Sequence, residues 1–266
     1  MTDPTLSPNP PSTSEEISSS SKPRISLGRY LWLELRSWLS VLLPFFIITT
    51  FLVTITGVDG KSMMPNLRHG ERIIIPKYET WLHRLGIGSF QRGDIVVFKP
   101  GGEIPGVERD FFGLWTYRPY FIKRVVAVAG DTVRMQAGEV FVNNRKINQA
   151  FITDFWKEQQ CWDQFSSTAN YARSDYSGLT PMFKSITVPA GQYFVMGDNR
   201  SQGGSEDSRM IGTVPLEAIA GRAALVWWPF VRHISASYDC NTADVRLSGP
   251  SGFNPRALEK PTGWNP

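Results

Sequence analysis

The sequence predicts a mainly β, barrel-like domain carried behind a single N-terminal transmembrane helix. Three observations lead to this. Residues 38–58, WLSVLLPFFIITTFLVTITGV, run for 21 positions without a charge. Beyond them the chain breaks into short β-branched and aromatic runs bounded by Gly, Pro, Asn or Asp. No second long apolar run occurs, so one span is expected.

Taken in order, residues 1–28 begin with a Ser- and Pro-rich stretch that has few large apolar groups, which predicts a disordered tail. Residues 29–58 form the anchor, with the span itself at about 38–58. At about 1.5 Å per helical residue it crosses a hydrocarbon core of roughly 30 Å. Pro44 is tolerable there as a kink. The run is too long for a cleavable leader, and no Ala-x-Ala site follows directly after it. Lys22, Arg24, Arg29 and Arg36 precede the span and Lys61, Arg68, Arg72 and Lys77 come after it, so the positive-inside rule does not orient the chain.

Residues 59–234 are expected to hold the β domain. Strands are predicted at RIIIPK (72–77), DIVVFK (94–99), YFIKRVVAVAG (120–130), TVRM (132–135), EVFVNNRKI (139–147) and QYFVMGD (192–198). Asn143-Asn144 suit the left-handed positions of a hairpin turn. WLHRLGIGSF (81–90) carries apolar side chains that suit a membrane surface or ordinary core packing. Residues 150–185 are polar and irregular and read as an insertion; 235–266, rich in Gly, Pro and Asn, read as a loose tail.

The chain has 266 residues, of which 41% are hydrophobic and 20% charged, an ordinary globular balance. Net charge is +4 with both signs interspersed, and no basic block points to a nucleic-acid partner. Cys161 and Cys240 lack CxxC spacing, and His69, His83 and His233 are scattered, so neither a metal site nor a cofactor is expected. The two cysteines suit a disulfide in an oxidising compartment or a pair of free thiols.

Three places could carry chemistry. Ser62, in GKSMMPN (60–66), comes directly after the apolar segment and is either loop or nucleophile; a nucleophilic serine needs a base, and of the histidines His69 stands seven residues away as a weak Ser-His-Asp candidate while His83 and His233 have no obvious triad setting. Lys123 shares a strand face with Phe121, Val125 and Ala127, while Ile122, Arg124 and Val126 face the other way. Desolvation there would lower its pKa and leave a neutral amine able to act as a base; the alternative is a side chain that snorkels to water. GDNRSQGGSEDSR (197–209) is either a solvated turn or a loop tied near a site, with Asp198/Arg200 and Asp207/Arg209 as candidate pairs.

SMMPNL, RGDIVVF (92–98), YFIKRVVAVAGD (120–131) and GDNR…SEDSR, in this order behind a membrane anchor, resemble the bacterial type I signal peptidases and their cyanobacterial and thylakoid relatives. The resemblance covers roughly residues 38–233. It implies a signal-peptidase-type β domain, and a serine endopeptidase that removes signal peptides from exported preproteins after small residues. By position it makes Ser62 the nucleophile, its backbone N–H part of the oxyanion hole, and Lys123 the general base. It makes Ser205 the residue that orients the lysine, Asp207 and Arg209 structural charges, Asp198 a partner for Arg124, and Met63 a neighbour of the substrate groove. It also implies a monomer whose partners are preproteins and the lipid bilayer, with the β domain on the periplasmic or lumenal side of a bacterial cytoplasmic or thylakoid membrane.

Three positions depart from the pattern. Asn66 replaces the usual Thr, and Gly60 stands where some relatives carry an oxyanion-donating Ser. Six residues rather than four separate Arg200 from Asp207, which Gly203-Gly204 could absorb as a bulge or which could displace Ser205. Two competing readings are a Ser/Lys autoprotease regulator and a catalytically silent, membrane-anchored binding protein. The anchor and the lack of a DNA-binding helix pair argue against the first; the altered spacing supports the second.

Overall fold

The structure, a computed structural model, describes residues 26–101, 109–111, 115–163, 185–261 and 264. It divides into two units, one ending at Phe45 and one starting at Phe46. Helix α1 (Leu27–Ile47) begins in the first and ends in the second, continuing through a π-helical turn, Ile48–Leu52. Together these 26 residues are long and apolar enough to cross a bilayer. This corrects the predicted span of 38–58. The helix starts earlier, accommodating Arg29, Glu34 and Arg36, and stops where β-branched residues take over: Val53–Gly57 is strand β1.

The second unit is mainly β, and its sheets do not close into a barrel. One sheet has the order β1-β2-β14-β17, adding β2 (Arg72–Pro76), β14 (Leu225–Trp228) and β17 (Arg256–Ala257). A five-stranded sheet has the order β12-β11-β6-β3-β13: β12 (Val214–Pro215), β11 (Gln192–Met196), β6 (Phe121–Val128), β3 (Ile95–Phe98) and β13 (Ile219–Arg222). A third has the order β10-β7-β8-β9: β10 (Ile186–Thr187), β7 (Thr132–Gln136), β8 (Glu139–Val142) and β9 (Arg145–Lys146). Two ribbons complete the set, β4 (Arg109–Phe111) with β5 (Trp115–Tyr117), and β15 (Val231–Tyr238) with β16 (Val245–Phe253).

All six predicted strand regions form strands. Strand β3 is buried on both faces, because Ile95 and Val97 enter one core cluster with Val58, Leu67 and Ile73, while Val96 and Phe98 enter another with Phe90 and Val125. Asn143 and Asn144 both have positive φ, at 53° and 64°, and close the β8–β9 hairpin as their side chains allow. Helix α2 (Lys77–Arg84) comes after β2, and its Lys77 Nζ donates to the Thr49 and Thr50 carbonyls at 3.2 and 3.1 Å. Those carbonyls lie at the end of the apolar helix, where a cation is favoured. Trp81, Leu82, Leu85 and Ile87 are exposed, whereas Phe90 is buried.

Two expectations are corrected. The insertion at 150–185 opens with helix α3 (Ala150–Glu158), whose Ile152 and Trp156, four apart on one face, are fully buried; residues 164–184 lie outside the described residues, as do residues 1–25 of the N-terminal tail. The C-terminal region is not a loose tail either. Strands β16 and β17 lie within it, Tyr238 and Trp264 are buried in the same core as Trp156, and Cys240 is disulfide-bonded to Cys161. Most β15–β16 side chains are exposed, so this ribbon leaves little apolar alternation to read. The disulfide joins residues 79 apart in sequence. Cys240→Ser is expected to lower stability by about 2–4 kcal/mol, read as a lower melting temperature that reductant reproduces in the wild type.

Candidate active site

Ser62 lies in a run of turns after β1, and Lys123 is the third residue of β6. Lys123 Nζ lies 2.8 Å from Ser62 Oγ, across 61 residues of sequence. Phe121, two residues earlier on the same strand face, places its ring centroid 5.1 Å from that nitrogen. Lys123 is only 4% exposed, so it does not snorkel. Burial pushes its pKa down from 10.5 to about 8; the carboxylates of Asp207 and Glu206 oppose this, Arg209 adds to it and Asp198 opposes it. The amine is thus neutral for an appreciable part of the time near neutral pH.

The histidines make other contacts. His69 Nδ1 accepts from Gly60 N–H at 3.2 Å and lies 3.3 Å from Asp59, His83 packs edge-on against Phe90, and His233 Nδ1 lies 3.1 Å from the Gly249 carbonyl. Lysine is the base-type group beside Ser62.

The loop after β11 forms the wall of the site. Asp198 takes a bidentate ion pair from Arg124, at 2.8 and 2.6 Å, and accepts from Asn66 Nδ2 at 2.8 Å. Arg124 also lies over the Phe151 ring, and Trp156 Nε1 donates to the Asp198 carbonyl at 2.7 Å, so α3 braces the pair. Asp198 therefore pairs with Arg124 rather than Arg200. Arg200 turns inward, donating to the Gly197 carbonyl at 2.9 Å and to Gln149 Oε1. Burial, then the nearby Arg209 charge, push its pKa down to about 10.

Asp207 is fully buried, caps the short helix α4 (Ser208–Ile211), and receives Arg209 at 2.7 and 2.8 Å and Gly197 N–H at 2.8 Å. Burial pushes its carboxyl up, but Arg209, the Gly197 N–H and Lys123 outweigh burial and hold it below the usual carboxylate range.

The two added residues before Ser205 are taken up in a turn. Gly204 N–H donates to the Ser201 carbonyl at 3.0 Å, Gly203 has φ +68°, and Gln202 and Gly203 face solvent. Gly204 packs against Asn199 instead of bulging outward. Ser205 remains buried beside the site: a Cβ on Gly197 would lie 2.2 Å from Ser205 Oγ and 2.5 Å from the Ser62 carbonyl oxygen. The Ser205 hydroxyl makes no hydrogen bond among the described residues, so its expected bond to Lys123 is not formed here. Met63, expected by the groove, is 2% exposed and packs among Val58, Leu67 and Ile73, placing it in the core.

Sequence reasoning missed Gly197 and Asn199. Asn199 N–H donates to the Ser62 carbonyl at 2.9 Å and its Nδ2 to the Lys61 carbonyl at 3.3 Å, so it fastens the loop that carries Ser62. Gly197 is bare because two groups of the site crowd it. Both stand in the GDNR box, but nothing local marks either as a contact to residue 62. Among the described residues no group accepts a hydrogen bond from Ser62 N–H.

A serine hydroxyl lies against a buried lysine amine of lowered pKa, with paired carboxylates and guanidinium groups nearby, a geometry in which the neutral amine can accept the hydroxyl proton. The chain belongs to the family described as signal peptidase, peptidase S26, whose family model matches residues 31–228. It is 32% identical to "Signal peptidase I" of Bacillus licheniformis over 69% of this chain and 81% of that one. It is 29% identical to "Probable signal peptidase I-2" of Synechocystis over 94% of each. A solved signal peptidase I from Enterococcus faecalis overlaps 51% of this chain and 97% of its own at 24% identity, with a TM-score of 0.32, too loosely to compare sites.

Proposed function

We propose that the chain is a membrane-anchored serine endopeptidase that cuts signal peptides from exported preproteins after small residues, with Ser62 as nucleophile and Lys123 as general base. The observation that carries this reading is the 2.8 Å contact between a buried, low-pKa lysine and the serine hydroxyl. Neutral Lys123 takes the Ser62 proton as Oγ attacks the scissile carbonyl. The unpartnered Ser62 N–H donates to the developing oxyanion; one such donor is worth about 3–4 kcal/mol in a well-studied hydrolase. The adduct then collapses: the scissile C–N bond breaks as Lys123 gives its proton to the leaving amine, and water, deprotonated by the now neutral Lys123, attacks the acyl-enzyme carbonyl and frees Ser62, which takes the proton back from the lysine.

Asp207 with Arg209, and Asp198 with Arg124, keep the surrounding charges paired so that Lys123 stays neutral. Ser205 packs against Gly197 at the rim of the dyad, and its free hydroxyl is the group available to orient the amine. The preprotein is read as an extended strand added to a sheet edge. The apolar helix serves as a single-pass anchor in a bacterial cytoplasmic or thylakoid membrane, with the β domain on the periplasmic or lumenal side. The exposed Trp81, Leu82, Leu85 and Ile87 suit contact with that bilayer. No cofactor and no nucleic acid take part, and the enzyme acts as a monomer.

The test is cleavage of a preprotein with an Ala-x-Ala site by the detergent-solubilised full chain. Wild type is expected to cut after that site, and Ser62→Ala to lose about 10³-fold or more. Because the base must be neutral, kcat/KM should rise with pH to a plateau, with an apparent pKa near 8. A rate flat from pH about 6 to 9 would reject Lys123 as base, and a folded wild type that binds preprotein but cuts nothing would make this a binding protein.

A further inference from the structure

The region matched by the family model ends at residue 228, yet the C-terminal segment beyond it is bonded to the loop that carries Ser62. Arg256, on β17, donates through Nη2 to the Asn66 carbonyl at 2.5 Å and to Glu71 Oε2 at 3.0 Å, and through Nη1 to Glu71 Oε1 at 3.1 Å. Glu71 is 2% exposed and also receives Arg232 Nη1, from β15, at 2.9 Å. Arg68 donates to the His233 and Ile234 carbonyls at 2.7 and 3.0 Å, and Lys61 Nζ donates to the Ala243 carbonyl. Both ends of the turn that carries Ser62 are therefore fastened to the C-terminal segment.

We infer that residues 231–257 act as a clamp that positions the nucleophile, with Arg256 as its central positioning residue. The path to the dyad is short. Arg256 holds the Asn66 carbonyl; the Asn66 side chain holds Asp198; Asp198 is locked to Arg124, the chain neighbour of Lys123. The Ser62 loop is thus bonded both to the lysine's own strand, directly and through Asp198, and to the C-terminal segment. Arginine is required because its planar fork serves a carbonyl and a carboxylate at once, whereas an ammonium is a point charge. Asn66, a departure from the family pattern, acquires a function here: its amide supplies a donor for Asp198 while its carbonyl takes Arg256. Arg256 touches no reacting atom, and its effect on rate is carried by the position of Ser62 Oγ.

This inference rests on the peptidase reading, so its test includes a readout that does not depend on catalysis. Arg256→Gly is compared with wild type and with Arg222→Gly, which breaks the Arg222–Glu79 pair away from this loop. In Arg256→Gly kcat on the preprotein should fall by about 10-fold to 100-fold with KM nearly unchanged, as for a nucleophile displaced by up to about 1 Å. Millimolar guanidinium should restore part of that kcat and none in the Arg222 control. Hydrogen exchange should quicken at the Met64 and Leu67 amides, which bond within the turn, and stay unchanged in β3 and β6. Loss of kcat only in proportion to loss of folded protein, or quickened exchange with normal kcat, overturns the positioning role. Should wild type cleave nothing, the peptidase reading falls and exchange alone decides: unchanged Met64 and Leu67 amides then reject the clamp.

Discussion

Lys123→Met is expected to cleave nothing and yet to melt at a higher temperature than wild type at pH 7. Loss of the base should cost about 10³-fold or more in kcat. The gain in stability comes from proton linkage. Lys123 has its pKa lowered from 10.5 to about 8 in the folded protein. Above the unfolded pKa neither state holds the proton and the lysine is neutral toward stability. As pH falls from there toward 8, the unfolded chain takes up the proton and the folded one does not, so folding is progressively disfavoured; below 8 the deficit is full. At pH 7 it amounts to roughly 3 kcal/mol, and by pH 10 to roughly 1. Methionine fills a similar volume without the charge. Thermal melts at both pH values check this: the variant should lead by several degrees at pH 7 and by much less at pH 10. A variant that melts below wild type at pH 7 would show that the lysine is not desolvated as described.

Gly197→Ala is the second large effect. Its new methyl would meet Ser205 Oγ at 2.2 Å, Ser205 Cβ at 2.5 Å and the Ser62 carbonyl oxygen at 2.5 Å. Ser205 Oγ can rotate aside, but Ser205 Cβ and the Ser62 carbonyl oxygen move only with their backbones. Gly197 N–H is bonded to Asp207 and its carbonyl to Arg200, so the backbone cannot retreat without breaking a buried charged contact. The clash is relieved only by shifting the Ser205 backbone or the Ser62 loop, and either disturbs the groups packed beside Lys123. A displacement near 1 Å costs about 100-fold in rate, and overpacking costs about 1–3 kcal/mol in stability. Parallel measurement of kcat/KM and of urea midpoint checks it. An alanine variant with wild-type rate would mean that the wall yields where it is drawn rigid. Gly203→Ala provides the contrast: its Cβ meets nothing within 4 Å, so only its φ of +68° opposes the change, and the rate should be kept.

Much of this was legible in the chain. The strand pattern of 94–99 and 120–130, the Asn-Asn turn and the face of Lys123 are period-two or single-turn signals that neighbouring residues carry among themselves. Phe121 flanks Lys123 in sequence and covers it in space because alternate residues of a strand share a face. Helix α3 was missed because Asp154, Lys157 and Glu158 mask an apolar stripe four residues apart. Strand β1 was missed because its β-branched run extends an apolar segment without a break, and only pairing with β2 separates strand from span.

What remained undecided needed the folded chain. Asp198 has an arginine two residues away, yet it pairs with Arg124, 74 positions distant. Ser62 meets Lys123 across 61 residues, and Arg256 reaches Asn66 across 190. Cys161 and Cys240 are bonded across 79 positions, where Tyr238 at the end of β15 packs edge-on against Trp156 of α3. Local pattern sets periodicity, turn chemistry and which side chains tolerate burial, because those depend on neighbours a few residues apart. The choice among distant charged partners is made by sheet order and loop closure, which bring one guanidinium within hydrogen-bonding distance of a buried carboxylate and leave the others out of reach.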